Sequence, residues 1–159
     1  MSFAQRLLET QQTLKQIAAD HGSVAFANSL GTEDMVLMDL ITKHAPTIEI
    51  FSIDTGRLPV ETYDLIERAI KHYRRKIIVY FPEQRAVENF VRINGINGFR
   101  DSVAQRQDCC HARKVEPLKR ALREDPHGLP VCVVHKRPRE KTWALRNSMR
   151  PTAYKNTIR

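Results

Sequence analysis

The chain has 159 residues, 42% of them hydrophobic and 28% charged, a composition that suits one globular domain with a sizeable core. No apolar run approaches the length of a membrane span, and Met1-Ser2-Phe3-Ala4-Gln5-Arg6 lacks the pattern of a signal peptide. Three cysteines, two of them adjacent, make no disulfide framework, so a reducing cytoplasmic setting without membrane association is expected. The net charge of +8 is unevenly spread: residues 1–122 carry 17 Lys and Arg against 15 Asp and Glu, and residues 123–159 carry 9 against 3. That asymmetry divides the chain into a nearly neutral α/β part, 1–122, and a divergent basic tail, 123–159, expected to be solvated or poorly ordered. A nucleic-acid-binding module is disfavoured, because only Trp143 and Tyr154 interleave aromatics with the tail's charge and no recognised motif accompanies them.

In chain order, residues 2–19 place Phe3, Leu7, Leu14, Ile17 and Ala18 at helical spacing and predict an amphipathic helix ending before His21-Gly22. Ser23 to Ala27 reads as a short buried strand, and Glu33 to His44 as a helix with Met35, Val36, Leu37, Leu40 and Ile41 inward. Ile48 to Ile53 is a second strand, followed by a helix from Pro59 to Tyr73 with proline in its first turn. Lys76 to Phe81 is a third strand, Glu83 to Ile93 a helix, and Asn94 to Asp108 a mixture of loop and short helix. Cys109-Cys110 stands at the predicted start of a further helix that carries Leu118 and Leu122 as its apolar pair. Strands alternating with helices predict a three-layer α/β fold, a parallel sheet with helices on both faces.

Ligands of open parallel sheets bind beyond the carboxyl ends of the strands. Two polar loops fall there. Ser29 to Glu33 has small residues with a helix N-terminus behind them, a setting for an anion, although Ser29 or Thr32 could equally do no more than cap the helix. Asp54-Thr55-Gly56 offers a carboxylate for a ribose or base group beside a residue that permits close approach, or else a tight turn with a satisfied Asp. The first loop lacks the spacing of a Walker P-loop and the glycine pattern of a dinucleotide fingerprint. Cys109 and Cys110 precede Arg113-Lys114, and nearby cations favour thiolate over thiol; buried helix cysteines are the plainer alternative.

Three runs together, Ser29-Leu30-Gly31-Thr32-Glu33-Asp34, Ile53-Asp54-Thr55-Gly56-Arg57-Leu58-Pro59-Val60-Glu61-Thr62-Tyr63 and Cys109-Cys110-His111-Ala112-Arg113-Lys114-Val115-Glu116-Pro117-Leu118, resemble the assimilatory adenylyl-sulfate/phosphoadenylyl-sulfate reductases. The resemblance spans residues 10–122. It implies an adenine-nucleotide α-hydrolase-like fold and thiol-dependent reduction of adenylyl sulfate to sulfite and AMP, a step of sulfate assimilation towards cysteine. The first two runs are shared widely across that fold. The third marks the iron–sulfur branch, which acts on adenylyl sulfate; the branch that uses phosphoadenylyl sulfate typically lacks the cysteine pair.

By the same resemblance, Ser29, Gly31 and Thr32 hold the phosphosulfate end, and Asp54, Thr55 and Gly56 line the nucleotide pocket. Arg113 and Lys114 meet the substrate, Lys114 electrostatically between substrate and cluster. Cys109 and Cys110 supply two of the four ligands of a [4Fe-4S] cluster, and thioredoxin or glutathione is the reductant.

The chain departs from that pattern after Leu122. The family's later Cys-x-x-Cys, its C-terminal nucleophilic cysteine and its Thr-Gly-x-Arg-Arg run have no counterpart here. Cys132, in Leu129-Pro130-Val131-Cys132-Val133-Val134-His135, reads as a core residue of a buried strand, and residues 141–159 show no clear period. These departures suggest a truncated or frame-shifted chain without its own catalytic residue and without a stably bound cluster. The alternatives carried forward are a non-catalytic adenine-nucleotide-binding remnant and a phosphoadenylyl-sulfate reductase. An ATP pyrophosphatase is disfavoured, because the first loop is not Ser-Gly-Gly-x-Asp-Ser.

Overall fold

The computed structural model describes residues 2–21, 23–122, 132–136 and 143–147, the last two stretches as backbone. The architecture is α/β, with helices alternating with strands that pair mainly in parallel. The chain falls into two compact units, residues 1–50 with 122–159, and residues 51–121.

The first unit opens with α1 (Phe3–Asp20), capped by Ser2, whose hydroxyl accepts from the Gln5 N–H. Its apolar stripe buries Leu14 and Ile17, whereas Phe3, expected inward, is 81% exposed in the first turn. Strand β1 (Val24–Ala27) leads to α2 (Thr32–His44), which packs on α1 and buries Leu37, Met38, Leu40 and Ile41. Val36, expected in the core, is exposed and Met38 takes the interior place, because a helix cannot turn both 35–37 and 40–41 to one side. Each fully buried side chain of the Phe26, Met38 and Ile41 kind contributes about 1.5–3 kcal/mol.

Strand β4 (Cys132–Lys136) runs parallel to β1, with Val24 opposite Cys132, and β5 (Trp143–Asn147) pairs antiparallel to β4. The absence of a period over 141–159 did not foretell β5; ladder hydrogen bonds with a neighbour form it, not side-chain alternation. The side chain of Cys132 and its expected burial lie outside the described residues.

Strand β2 (Glu49–Ile53) is divided between the units, Glu49 and Ile50 in the first and Phe51–Ile53 in the second. In the second unit β2 pairs in parallel with β3 (Ile78–Tyr80), and Phe51 meets the Tyr80 ring edge-on at 5.8 Å between centroids. Between them lies α3 (Val60–Tyr73), for which Pro59 is the N-cap residue. Helix α4 (Gln84–Asn94) buries Phe90 and packs against a 3₁₀ turn (Gly98–Arg100) and α5 (Val103–Cys110). The chain then widens into a π segment (His111–Val115) before α6 (Glu116–Ala121). Leu118 and Leu122 are only half-buried, whereas Ala112 and Val115 of the π segment and Pro117 and Ala121 of α6 are buried.

The cysteine pair stands at the other end of a helix from the one expected. Cys109 and Cys110 end α5 rather than begin a helix, because Ser102 caps that helix seven residues earlier by accepting from the Gln105 N–H at 3.1 Å. The thiols therefore do not face the positive end of a helix. Beyond them the Glu116 N–H donates to the His111 carbonyl, five residues back. Pro117 gives the reason: it has no N–H, and in a regular α-helix its ring would meet the carbonyl of residue 113.

Candidate functional site

The loop after β1 belongs to the first unit and is organised from below by two buried polar side chains. Asn28 is 2% exposed; its Oδ1 accepts the Leu30 N–H at 2.7 Å and its amide reaches the Met38 sulfur at 3.5 Å. Asp34, in the first turn of α2 and 6% exposed, turns back so that one oxygen accepts both the Ser29 N–H at 2.8 Å and the Ser29 hydroxyl at 2.6 Å. Between these anchors Leu30 is held at φ 65°, a left-handed conformation that costs a side-chain-bearing residue about 1–2 kcal/mol.

Neither Ser29 nor Thr32 caps α2. Gly31 holds that position without a side-chain bond, its carbonyl accepting from Met35 at 3.0 Å, and Ser29, Gly31 and Thr32 lie at the accessible start of the helix. Asn28 and Asp34 were not singled out in the sequence. Their signal is faint: an Asn closing an apolar strand, and an acidic residue that alone reads as ordinary helix-dipole complement.

The loop after β2 belongs to the second unit. Asp54 is 3% exposed, and its backbone N–H donates to the Tyr80 carbonyl at 3.0 Å. Its Oδ1 accepts the Gly56 N–H at 2.6 Å and the Tyr63 hydroxyl at 3.1 Å. The first is an Asx turn made by the residue's own carboxylate. The second raises the Tyr63 phenol above its ordinary value of 10.0, chiefly because its hydroxyl donates to Asp54. Gly56 has φ 67°, which suits glycine. Arg57 donates to the Ile96 carbonyl and, at 3.4 Å, to Asn97 Oδ1, and lies 4.8 Å over the Phe99 ring, tying this loop to the 3₁₀ turn.

Arg113 of the π segment reaches the same loop: its Nη1 donates to the Thr55 carbonyl at 2.7 Å. The predicted residues Asp54, Thr55, Gly56 and Arg113 therefore come together within one unit. Lys114 is exposed, and Cys109 and Cys110 are free and half-buried one turn before Arg113.

A sequence profile of the phosphoadenosine phosphosulfate reductase domain matches residues 23–142. The chain belongs to this family. The match continues past residue 122, across the change in charge. Among similar proteins named adenosine 5'-phosphosulfate reductase, that of Allochromatium vinosum is 49% identical over 111 residues, 70% of this chain and 43% of the relative. Those of Burkholderia cepacia and Neisseria meningitidis serogroup B are 47% and 41% identical over 109 and 121 residues. The match covers 44% and 49% of those two relatives, so this chain spans less than half the length of the reductases it resembles.

The fold is similar to that of a phosphoadenylyl-sulfate reductase from Candida auris, solved as a phosphate complex. The TM-score is 0.62 at 23% identity, over 79% of this chain and 66% of that one. No helix among the described residues is long and apolar enough to cross a membrane.

The iron–sulfur group associated with this reductase family needs four thiolates for a [4Fe-4S] cluster. These 159 residues contain three cysteines, and among the described residues no group of three or more His, Cys, Asp or Glu is placed to hold a metal ion. The donor set present does not complete such a cluster; Cys109 and Cys110 are free thiols.

Proposed function

We propose that the chain binds adenylyl sulfate and that its role lies in the thiol-dependent reduction of that nucleotide to sulfite and AMP during sulfate assimilation, in the cytoplasm. The observation that carries this reading is 49% identity over 111 residues to a relative named for that substrate. The Cys109-Cys110 pair ahead of Arg113-Lys114 supports it.

In this reading the accessible N-terminus of α2, with Ser29, Gly31 and Thr32, receives the phosphosulfate anion through backbone N–H groups. Thr55 and Gly56 line the nucleotide pocket, and exposed Lys114 supplies positive charge to a substrate that carries two negative charges. Asp54 Oδ1 is already engaged by Gly56 and Tyr63, so Asp54 shapes the loop first and has its other oxygen for a ligand. Reduction breaks the bond between sulfur and the AMP phosphate oxygen, with two electrons taken from a pair of thiols that become a disulfide. Thioredoxin or glutathione is the reductant in this reading, and the contribution of these residues is to bind and orient the nucleotide.

Purified chain, treated to reconstitute iron and sulfide, is tested for sulfite release from adenylyl sulfate with reduced thioredoxin, beside calorimetry with AMP. Sulfite release supports the reductase. AMP binding without sulfite supports the second reading, a non-catalytic adenine-nucleotide-binding chain, which the count of three cysteines favours. Absence of both overturns the proposal. Reconstitution is expected to leave no persistent four-iron charge-transfer band, and a stable band would contradict the donor count. A parallel titration with the 3′-phosphorylated nucleotide decides between the two substrates.

A further inference from the structure

We infer that Arg113 is a positioning residue for the nucleotide loop and not a ligand of the substrate anion. The inference rests on the nucleotide-binding reading above. Its basis is the direction of the guanidinium. Arg113 is half-buried and spends Nη1 on the Thr55 carbonyl, 58 residues away in the chain, at 2.7 Å. A methyl group added to Gly56 would lie 3.2 Å from the same nitrogen, so the guanidinium lies along the loop's backbone. A hydrogen bond from a charged donor is among the stronger kinds and fixes the plane of the peptide it meets.

The loop has need of such a restraint. Gly56, in the left-handed region, is the most freely rotating residue type. On one side the loop is held through Asp54, by the Gly56 N–H and the Tyr63 hydroxyl, and at its far end by Arg57 on Ile96 and Asn97. The Thr55 carbonyl would otherwise be free to flip, and Arg113 holds it.

The π segment is what makes this reach possible. Five residues, His111–Val115, are wound more widely than in an α-helix immediately before Pro117, which changes the direction of every side chain after Cys110. Arg113 turns inward to Thr55, whereas its neighbour Lys114 is exposed. The adjacent cations thus have different tasks: Arg113 shapes the pocket wall, and Lys114 is left for the anion. The clamp also joins the cysteine-bearing helix to the nucleotide loop through one side chain.

The test compares adenosine with AMP. In Arg113→Gln, calorimetry is expected to show both ligands weakened alike, by about tenfold, with no change in salt dependence. The Gly56 and Arg57 amides should exchange with deuterium about tenfold faster, and the α1 amides of Leu14 and Ile17 should be unaffected. Gly56→Ala, which crowds Arg113, should weaken both ligands, and less so when combined with Arg113→Gln. A loss confined to AMP and abolished by salt would identify Arg113 as a direct anion contact and overturn the inference. Unchanged exchange at Gly56 would also overturn it. If the parent chain binds neither ligand, the nucleotide reading fails, and the exchange arm still decides the clamp. If Arg113→Gln does not fold, Arg113→Lys keeps the charge without the planar fork, and its exchange at Gly56 is read in the same way.

Discussion

The loops after β1 and β2 solve one problem by opposite means. Each follows a parallel strand, and each has a residue near φ 65° and a carboxylate that accepts one of its backbone N–H groups and one hydroxyl. In the first loop the left-handed residue is Leu30, 8% exposed, so the conformation is imposed against its preference by Asn28 and Asp34 beneath it. In the second it is Gly56, which has no such preference to overcome; besides the Asx turn of Asp54, long side chains hold the loop, Tyr63 and Arg113 from outside it and its own Arg57 reaching out to Ile96. A strained loop must be locked by buried groups close in sequence. A permissive loop can be held by distant, partly exposed ones, and is the easier to adjust.

The comparison breaks most severely at Asp34. Asp34→Ala leaves the Ser29 N–H and hydroxyl without their shared acceptor, and a loss of about 3 kcal/mol in unfolding free energy is expected from urea titration. A loss below that of an ordinary surface substitution would mean that the buried carboxylate does not hold the loop.

Leu30 gives an intermediate effect of unusual order. Glycine is ordinarily the poorer substitute in a folded chain, yet Leu30→Gly should be more stable than Leu30→Ala by about 1 kcal/mol, because only glycine relieves the left-handed conformation while both lose the same buried side chain. The reverse order in thermal or urea unfolding would show that Leu30 carries no strain.

The smallest effect is at Tyr63, and it appears with pH. Its phenol is raised above 10.0 by donating to Asp54, so the contribution is fully present below the unfolded value and is lost as pH rises through the folded one. Tyr63→Phe should remove that alkaline decline from the urea midpoint while changing the neutral midpoint least of the three. An unchanged alkaline limb would mean that the hydroxyl is not bonded to Asp54 in solution.

Much of the fold was legible because it rests on local patterns. The helices over 3–20, 32–44, 60–73 and 84–94 and the strands at 24–27 and 49–53 follow from apolar spacing, Pro59 and the turn residues between them. The chain beyond 122 was less legible. Its charge changes abruptly, but β5 depends on a ladder with β4, and the family match continues to residue 142.

By itself the sequence determined the alternation of strand and helix, the two polar loops at strand ends, and the Cys-Cys-His-Ala-Arg-Lys run that leads to the reductase family; all are short-range facts, readable within a few residues. Only the tertiary structure decided that the cysteines end a helix, that Asp34 rather than a cap organises Ser29, and that Arg113 turns to Thr55 while Lys114 is exposed. The physical reason is the same in each case. A donor is committed by whichever acceptor folding brings within hydrogen-bond reach, and for Arg113 that acceptor is 58 residues away.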